Sequence, residues 1–194
     1  MPVKTLKRQR FSKAPARLLR GEWIHLRPPQ PADYRQFAAL MEANRIFFRG
    51  LVPAFNRRRH FDEYVARCRQ DDYFGFLICR RGDDVVVGKI NLFNIIRRGL
   101  QTGCVGYLIS QAHARQGYAT EALRVLLRFA FRQVKLHRVE ANIQPHNASS
   151  LALVRRAGFA CEGLSPRYVK IGGRWRDHER WALLAEDWRT RTRK

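Results

Sequence analysis

Tyr107-Leu108-Ile109-Ser110-Gln111-Ala112-His113-Ala114-Arg115-Gln116-Gly117-Tyr118-Ala119-Thr120-Glu121-Ala122-Leu123 is the stretch on which the reading of this chain turns. The apolar run from Cys104 to Ile109 that leads into it reads as a strand. From Ala119 the period changes. Ala119, Ala122, Leu123, Leu126, Ala130, Phe131 and Val134 fall on one face of a long helix that ends before His137. A strand therefore passes through a loop into a helix whose start carries Gly117 and Ala119 two residues apart. Glycine permits an unusual φ and close backbone approach, and alanine keeps the Cβ bulk small. The unpaired N–H groups of the helix start then form a cradle for an anion such as phosphate.

On the N-terminal side, Met1 to Arg20 contains Lys4, Lys7, Arg8, Arg10, Lys13, Arg17 and Arg20 with no acidic residue, a solvated basic arm. Glu22 to Arg27 alternates as a first strand, Pro28, Pro29 and Pro31 end it, and a helix opens near Asp33 with Phe37, Leu40 and Met41 at helical spacing. That helix is expected to run on towards Phe47 and Phe48, with a second helix around Phe61 to Cys68. Phe74 to Cys79, the turn Arg81-Gly82-Asp83-Asp84 and Val85 to Phe93 predict a hairpin. Beyond the long helix, Arg138 to Ile143 returns to period two, Ser149 to Arg156 is a short helix stopped by Gly158-Phe159, and Tyr168 to Leu184 forms a second hairpin about Gly172-Gly173. The class is mixed α/β (α+β), a single domain from 21 to 188 with one sheet, preceded by the arm at 1–20 and followed by a basic tail at 189–194.

The 194 residues suit one domain with a real core, and 45% hydrophobic content excludes a chain disordered throughout. Lys and Arg number 38 against 16 Asp and Glu, a formal charge of +22 that favours polyanions. No run of about 18 apolar residues exists to span a membrane, and no apolar stretch follows the basic start as a secretory signal requires. A cytoplasmic protein without a membrane partner is expected. Cys68, Cys79, Cys104 and Cys161 form no CxxC and no finger spacing, and the six histidines form no HExxH pair. Reduced thiols and no metal site are expected.

About thirty residues past the first motif stands Asn147-Ala148-Ser149-Ser150-Leu151, closed by Gly158-Phe159. Together the two segments resemble the GCN5-related N-acetyltransferases (GNAT superfamily). In that family the loop before the long helix has the form (Q/R)xxGx(G/A), and its amides hold the pyrophosphate of coenzyme A. Here the loop is Ala114 to Ala119. Gly117 and Ala119 fit, Ala114 stands at the leading Gln/Arg place, and Arg115 follows one place late. Pro145-His146-Asn147, Glu162-Gly163 and Gly173-Arg174-Trp175-Arg176-Asp177-His178 look like the RimJ subfamily, which acetylates the N-terminal alanine of a small-subunit ribosomal protein.

The resemblance implies a central, mostly antiparallel sheet flanked by helices, acetyl-CoA as acetyl donor, and direct attack of an amine on the thioester. It implies cofactor contacts from the strand edge Leu108, Ile109 and Ser110, from Arg115, Gln116, Gly117, Tyr118, Ala119 and Thr120, and from Asn147. Asn147 is equally a helix N-cap, and both roles are compatible. The Tyr that often protonates the leaving thiolate in this family falls at Val154. Ser150, the third residue past Asn147, is the candidate in its place, against the plainer role of a helix hydroxyl bonded to a local carbonyl. For the base, Glu140 and Glu121 compete, and Glu121 is also explained by the helix dipole. Tyr168 is a candidate for orienting the amine. Asp177 and His178 either line the substrate groove or are structural.

Coenzyme A accounts for few of the positive charges. The arm from Lys4 to Arg20, Arg57-Arg58-Arg59 and Arg189 to Lys194 are therefore expected to bind ribosomal RNA, with the ribosomal protein presented on the small subunit. Two other readings stay open: an RNA-binding assembly factor with weak or no catalysis, and a polyamine or small-amine acetyltransferase, since fold does not fix substrate.

Overall fold

The computed structural model describes residues 18–51 and 57–192. Most of the basic arm lies outside the described residues. One eight-stranded sheet organises the rest, in the order β1-β2-β3-β4-β5-β6-β8-β7. Its strands are β1 Leu19–Arg20, β2 Ile24–Arg27, β3 Phe74–Arg80, β4 Val86–Ile96, β5 Thr102–Ile109, β6 Arg138–Ile143, β7 Ala160–Ile171 and β8 Arg174–Leu184. All neighbours are antiparallel except β5 and β6. The helices are α1 Tyr34–Ala43, α2 Arg58–Arg67, α3 Tyr118–Arg132, α4 Ala148–Ala157 and α5 Ala185–Thr192.

β3 is buried along nearly its whole length because helices cover both faces. Phe74, Phe76 and Ile78 join the core beneath α3, where Phe129 meets Phe74 and Phe76 edge-on at 5.1 and 5.7 Å. Leu77 and Cys79 turn to the other face and pack with Phe37, Phe61 and Tyr64 of α1 and α2. The alternation of one strand thus sets two cores. α3 presents Ala122, Leu123, Leu126 and Ala130, all fully buried, as the stripe expected from the sequence. α4 is capped by Asn147, whose Oδ1 accepts from Ser150 N at 3.2 Å, and closes on Gly158 at φ 95°.

Three features depart from the expectations. α1 stops at Ala43 instead of continuing to Phe47 and Phe48. Asn44 ends it: its Nδ2 donates to Leu40 O at 2.7 Å, and its Oδ1 accepts from Gln111 N at 2.6 Å, tying the helix end to the loop after β5. The second hairpin is longer than expected, since β7 begins at Ala160. β7 is an edge strand exposed almost throughout, so it carries no apolar alternation. Leu19 and Arg20, read with the arm, pair with β2, and Arg189 and Arg191, read with the tail, lie in α5, whose Trp188 packs on Phe131 at 5.3 Å.

Candidate active site

β5 and β6 pair only from Thr102 to Cys104 and from Arg138 to Glu140. Beyond that point they part. The opening between them widens into a cleft of 1320 Å³, bounded by Val105 to Ile109, by Ala141 to Gln144, and by the N-terminal ends of α3 and α4. Ser110 N donates back to Val87 O on β4 at 2.9 Å. Successive amides in a strand face opposite edges, so the N–H groups of Ile109 and Tyr107 point into the opening. A polar backbone edge without a partner strand is thereby offered to a ligand.

At one end of the cleft lies the loop before α3. Gly117, its N-cap, has φ 86°, and a Cβ there would come within 3.3 Å of the Trp23 ring. Arg115 is also left-handed at φ 63°. Glu121 N is bonded to Gly117 O at 3.0 Å, the first turn of the α3 ladder. The N–H groups of Tyr118, Ala119 and Thr120 therefore have no helical acceptor, a cradle of the kind that suits an anion. The exposed side chains of Arg115 and Arg156 line the cleft.

The other end faces α1 and α2. The segment from Asn44 to Leu51 closes over it with Phe47, Phe48 and Leu51, held by Gln144 Nε2, which donates to Gly50 O at 2.8 Å. Lys89 and Asn91 of β4 line this end. Lys89 Nζ sits over the Tyr64 ring at 4.7 Å, and burial lowers its pKa to about 8. Asn91 Oδ1 accepts from Tyr64 Oη at 2.8 Å. These residues were not singled out in the sequence. The signal was present, because Lys89 and Asn91 alternate with Ile90 and Leu92 in an otherwise apolar strand. Tyr107 also lines the cleft. It donates its hydroxyl to Ser150 O at 3.4 Å, and burial pushes its pKa up to about 12.

The cleft brings together Leu108, Ile109, Arg115, Gly117, Ala119, Thr120, Asn147 and Ser150. Asn147 Oδ1 is taken by the α4 cap and by Ser149 Oγ at 3.0 Å. Ser110 is buried outside the cleft lining, with Oγ 2.7 Å from His113 Nδ1. Gln116 folds back on Ala112 O at 3.0 Å, and Tyr118 is half-buried beside His113.

The two acidic candidates are placed elsewhere. Glu121 is 2% exposed, and its carboxylate accepts from the amides of Glu22 and Trp23, pinning the bend before β2 behind the cradle. Glu140 accepts from Thr102 Oγ1 at 3.1 Å and lies 3.1 Å from Arg138 Nε and 3.3 Å from Arg180 Nη2. Two guanidinium groups hold it away from the cleft lining. Both positions were read from elements correctly drawn, but the direction of each carboxylate depends on partners distant in sequence. Tyr168, on β7, is exposed and lies under the Arg180 guanidinium at 4.9 Å with its ring edge-on to His178 at 6.2 Å. Among the described residues that line the cleft there is no aspartate or glutamate.

Burial raises the thiols of Cys68 and Cys104 to about 11 and of Cys79 to about 12, and the four cysteines are free. His25, Cys79 and Asp84 gather near the β3–β4 turn, where His25 Nε2 is 2.8 Å from Asp84 Oδ1 beside the Arg27 guanidinium. No helix among the described residues is long and apolar enough to cross a membrane.

The family profile described as "Acetyltransferase (GNAT) domain" matches residues 24–160. The "Probable N-acetyltransferase YjcK" of Bacillus subtilis is 36% identical over 178 residues, 88% of this chain and 98% of its own. The "[Ribosomal protein uS5]-alanine N-acetyltransferase" of Escherichia coli is 35% identical over 120 residues, 62% of each chain. Among solved structures, Mycobacterium smegmatis RimJ in complex with CoA-disulfide superposes with a TM-score of 0.76 at 28% identity, over 84% of this chain and 82% of that one. The split sheet, the cradle at Gly117 and these matches have one meaning: the chain belongs to the GNAT family of N-acetyltransferases.

Proposed function

We propose that this chain transfers the acetyl group of acetyl-CoA to the α-amine of an alanine-starting N-terminus of a small-subunit ribosomal protein. The observation that carries the choice of acceptor is the carboxylate-free cleft, whose acceptor end holds the Lys89 ammonium. A polyamine carries several charges that need anionic partners, and none is found among the described residues that line this cleft. A free α-amine has a reference pKa of about 7.7 to 8.0 against about 10.4 for lysine, so roughly a tenth to a fifth of it is neutral and nucleophilic at pH 7. The similarity to the uS5-alanine enzyme of Escherichia coli supports the same acceptor.

In this reading the amides of Gly117, Tyr118, Ala119 and Thr120, with Arg115 and Gln116, hold the pyrophosphate. The β5 edge from Leu108 to Ser110 carries the pantetheine arm, and Asn147 binds it from α4. Ile109 N–H, directed into the opening, meets the thioester carbonyl and stabilises the negative charge that develops there. Ser150, on the cleft wall, supplies the proton that the leaving thiolate takes. The basic arm and the exposed cations of α5 hold ribosomal RNA, so that the substrate is met on the assembling small subunit. Arg58 and Arg59 contribute less, being paired with Asp62 and Glu63.

A panel of acceptors tests the proposal. An Ala-starting peptide is expected to be acetylated at least about tenfold more efficiently than spermidine. Transfer on small subunits, and not on the free peptide, is expected to fall steeply with added salt as bound counterions return. Preference for spermidine contradicts the acceptor assignment. Absence of transfer to any amine, with retained RNA binding, supports an assembly factor instead.

A further inference from the structure

With Glu121 turned behind the cradle and Glu140 clamped by two arginines, the described residues at the acceptor end of the cleft include no carboxylate to take a proton. His178 stands there instead. It lies on β8 next to Glu179, the register partner of Ile143 on β6, and it is 4% exposed in the cleft wall. Its Nδ1 is 3.0 Å from Arg176 O. A carbonyl oxygen only accepts, so Nδ1 is the donor, and in the neutral ring the lone pair is therefore on Nε2. The Tyr168 ring, edge-on at 6.2 Å, holds the imidazole plane.

The other ionisable groups of the cleft are occupied or of the wrong kind. Arg115 and Arg156 are cations, Lys89 Nζ is seated on the Tyr64 ring, Tyr107 donates to Ser150 O, and His113 is engaged by Ser110 Oγ. Among the described residues that line the cleft, His178 Nε2 and Lys89 Nζ are the basic nitrogens on the acceptor side, and Lys89 Nζ is turned to the Tyr64 and Phe37 rings at 4.7 and 5.9 Å.

We infer that His178 is the general base that deprotonates the acceptor amine. The inference rests on the acetyl-transfer reading above. Two protons leave the ammonium nitrogen in the reaction. One passes through Nε2 to solvent before attack. As the N–C bond forms and the C–S bond breaks, the electron pair moves to sulfur. The second proton leaves the nitrogen to Nε2, and the sulfur takes one from Ser150, which is reprotonated from His178. Amide, free thiol and one released proton balance the step.

The discriminating variant is His178→Asn, because its amide N–H still reaches Arg176 O while the second ring nitrogen is lost. The variant is expected to melt with the wild type, bind CoA with unchanged affinity, and lose about 100-fold or more in kcat. His178→Ala is expected to be equally slow and to recover in part with added imidazole. A kcat for His178→Asn within about threefold of wild type overturns the assignment, as does a change confined to the amine KM. The wild type, run on the acceptor panel, separates the two claims. If it prefers spermidine and His178→Asn still collapses, the acceptor reading fails and the base stands. If the peptide is preferred and His178→Asn is fast, the base fails and the acceptor reading stands.

Discussion

Gly117→Asp is expected to abolish acetyl-CoA binding in a chain that remains folded. Gly117 sits at φ 86°, where most side chains cost about 1 to 2 kcal/mol. Aspartate is among the residues that tolerate this conformation, so the fold survives. Its carboxylate, however, would stand among the N–H groups of Tyr118, Ala119 and Thr120, in the place of the pyrophosphate. Those donors would be satisfied from within the chain, and a negative charge would face the incoming phosphates. The Trp23 ring, 3.3 Å from the new Cβ, blocks retreat on that side. Isothermal titration with CoA is expected to show a loss of affinity of about 100-fold or more, or about 2.7 kcal/mol, with little change in the melting temperature. Affinity within about threefold of wild type would mean that the cradle is not the phosphate site.

Ile109→Pro is expected to lower kcat by about 10²- to 10³-fold, the usual cost of removing one donor from an oxyanion site. Proline removes the N–H of Ile109 and nothing else from the ladder to β4, because Ser110 N is the amide that donates to Val87 O. An edge position without a partner strand is also where a strand tolerates proline. The preceding residue, Leu108, is already extended, as proline requires. CoA affinity should change little, since the cradle is untouched. Steady-state kinetics of Ile109→Pro that match Ile109→Val would remove this amide from the mechanism.

What could be read from the residues alone follows the physics of local period. Arg138 to Ile143 is a strand in both readings, and α3 and α4 begin where Gly117 and Asn147 place them, because alternation, helical stripes and caps are written within a few residues. The cradle was legible for the same reason. The end of α1 was not, since Asn44 is bound by Gln111, 67 residues away. Nor was the acceptor wall. Glu140 sits on a strand beside the cleft, but Arg138 two residues before it and Arg180 on β8 take its carboxylate, and the second of these is brought there by the pairing of β6 with β8. The same pairing brings His178, already a candidate for the groove from the sequence, to the cleft. Lys89 enters from β4, where its side chain alternates with the core residues around it. Residues that act through a fold-wide pairing leave no local spacing to detect.

The central claim is that this chain acetylates the N-terminus of a small-subunit ribosomal protein. Mass spectrometry of ribosomal proteins from cells that lack the chain tests it most directly. One alanine-starting protein of the small subunit should lose its N-terminal acetyl group and regain it when the wild-type chain, but not Gly117→Asp, is restored. An unchanged acetylation pattern across those proteins would contradict the claim.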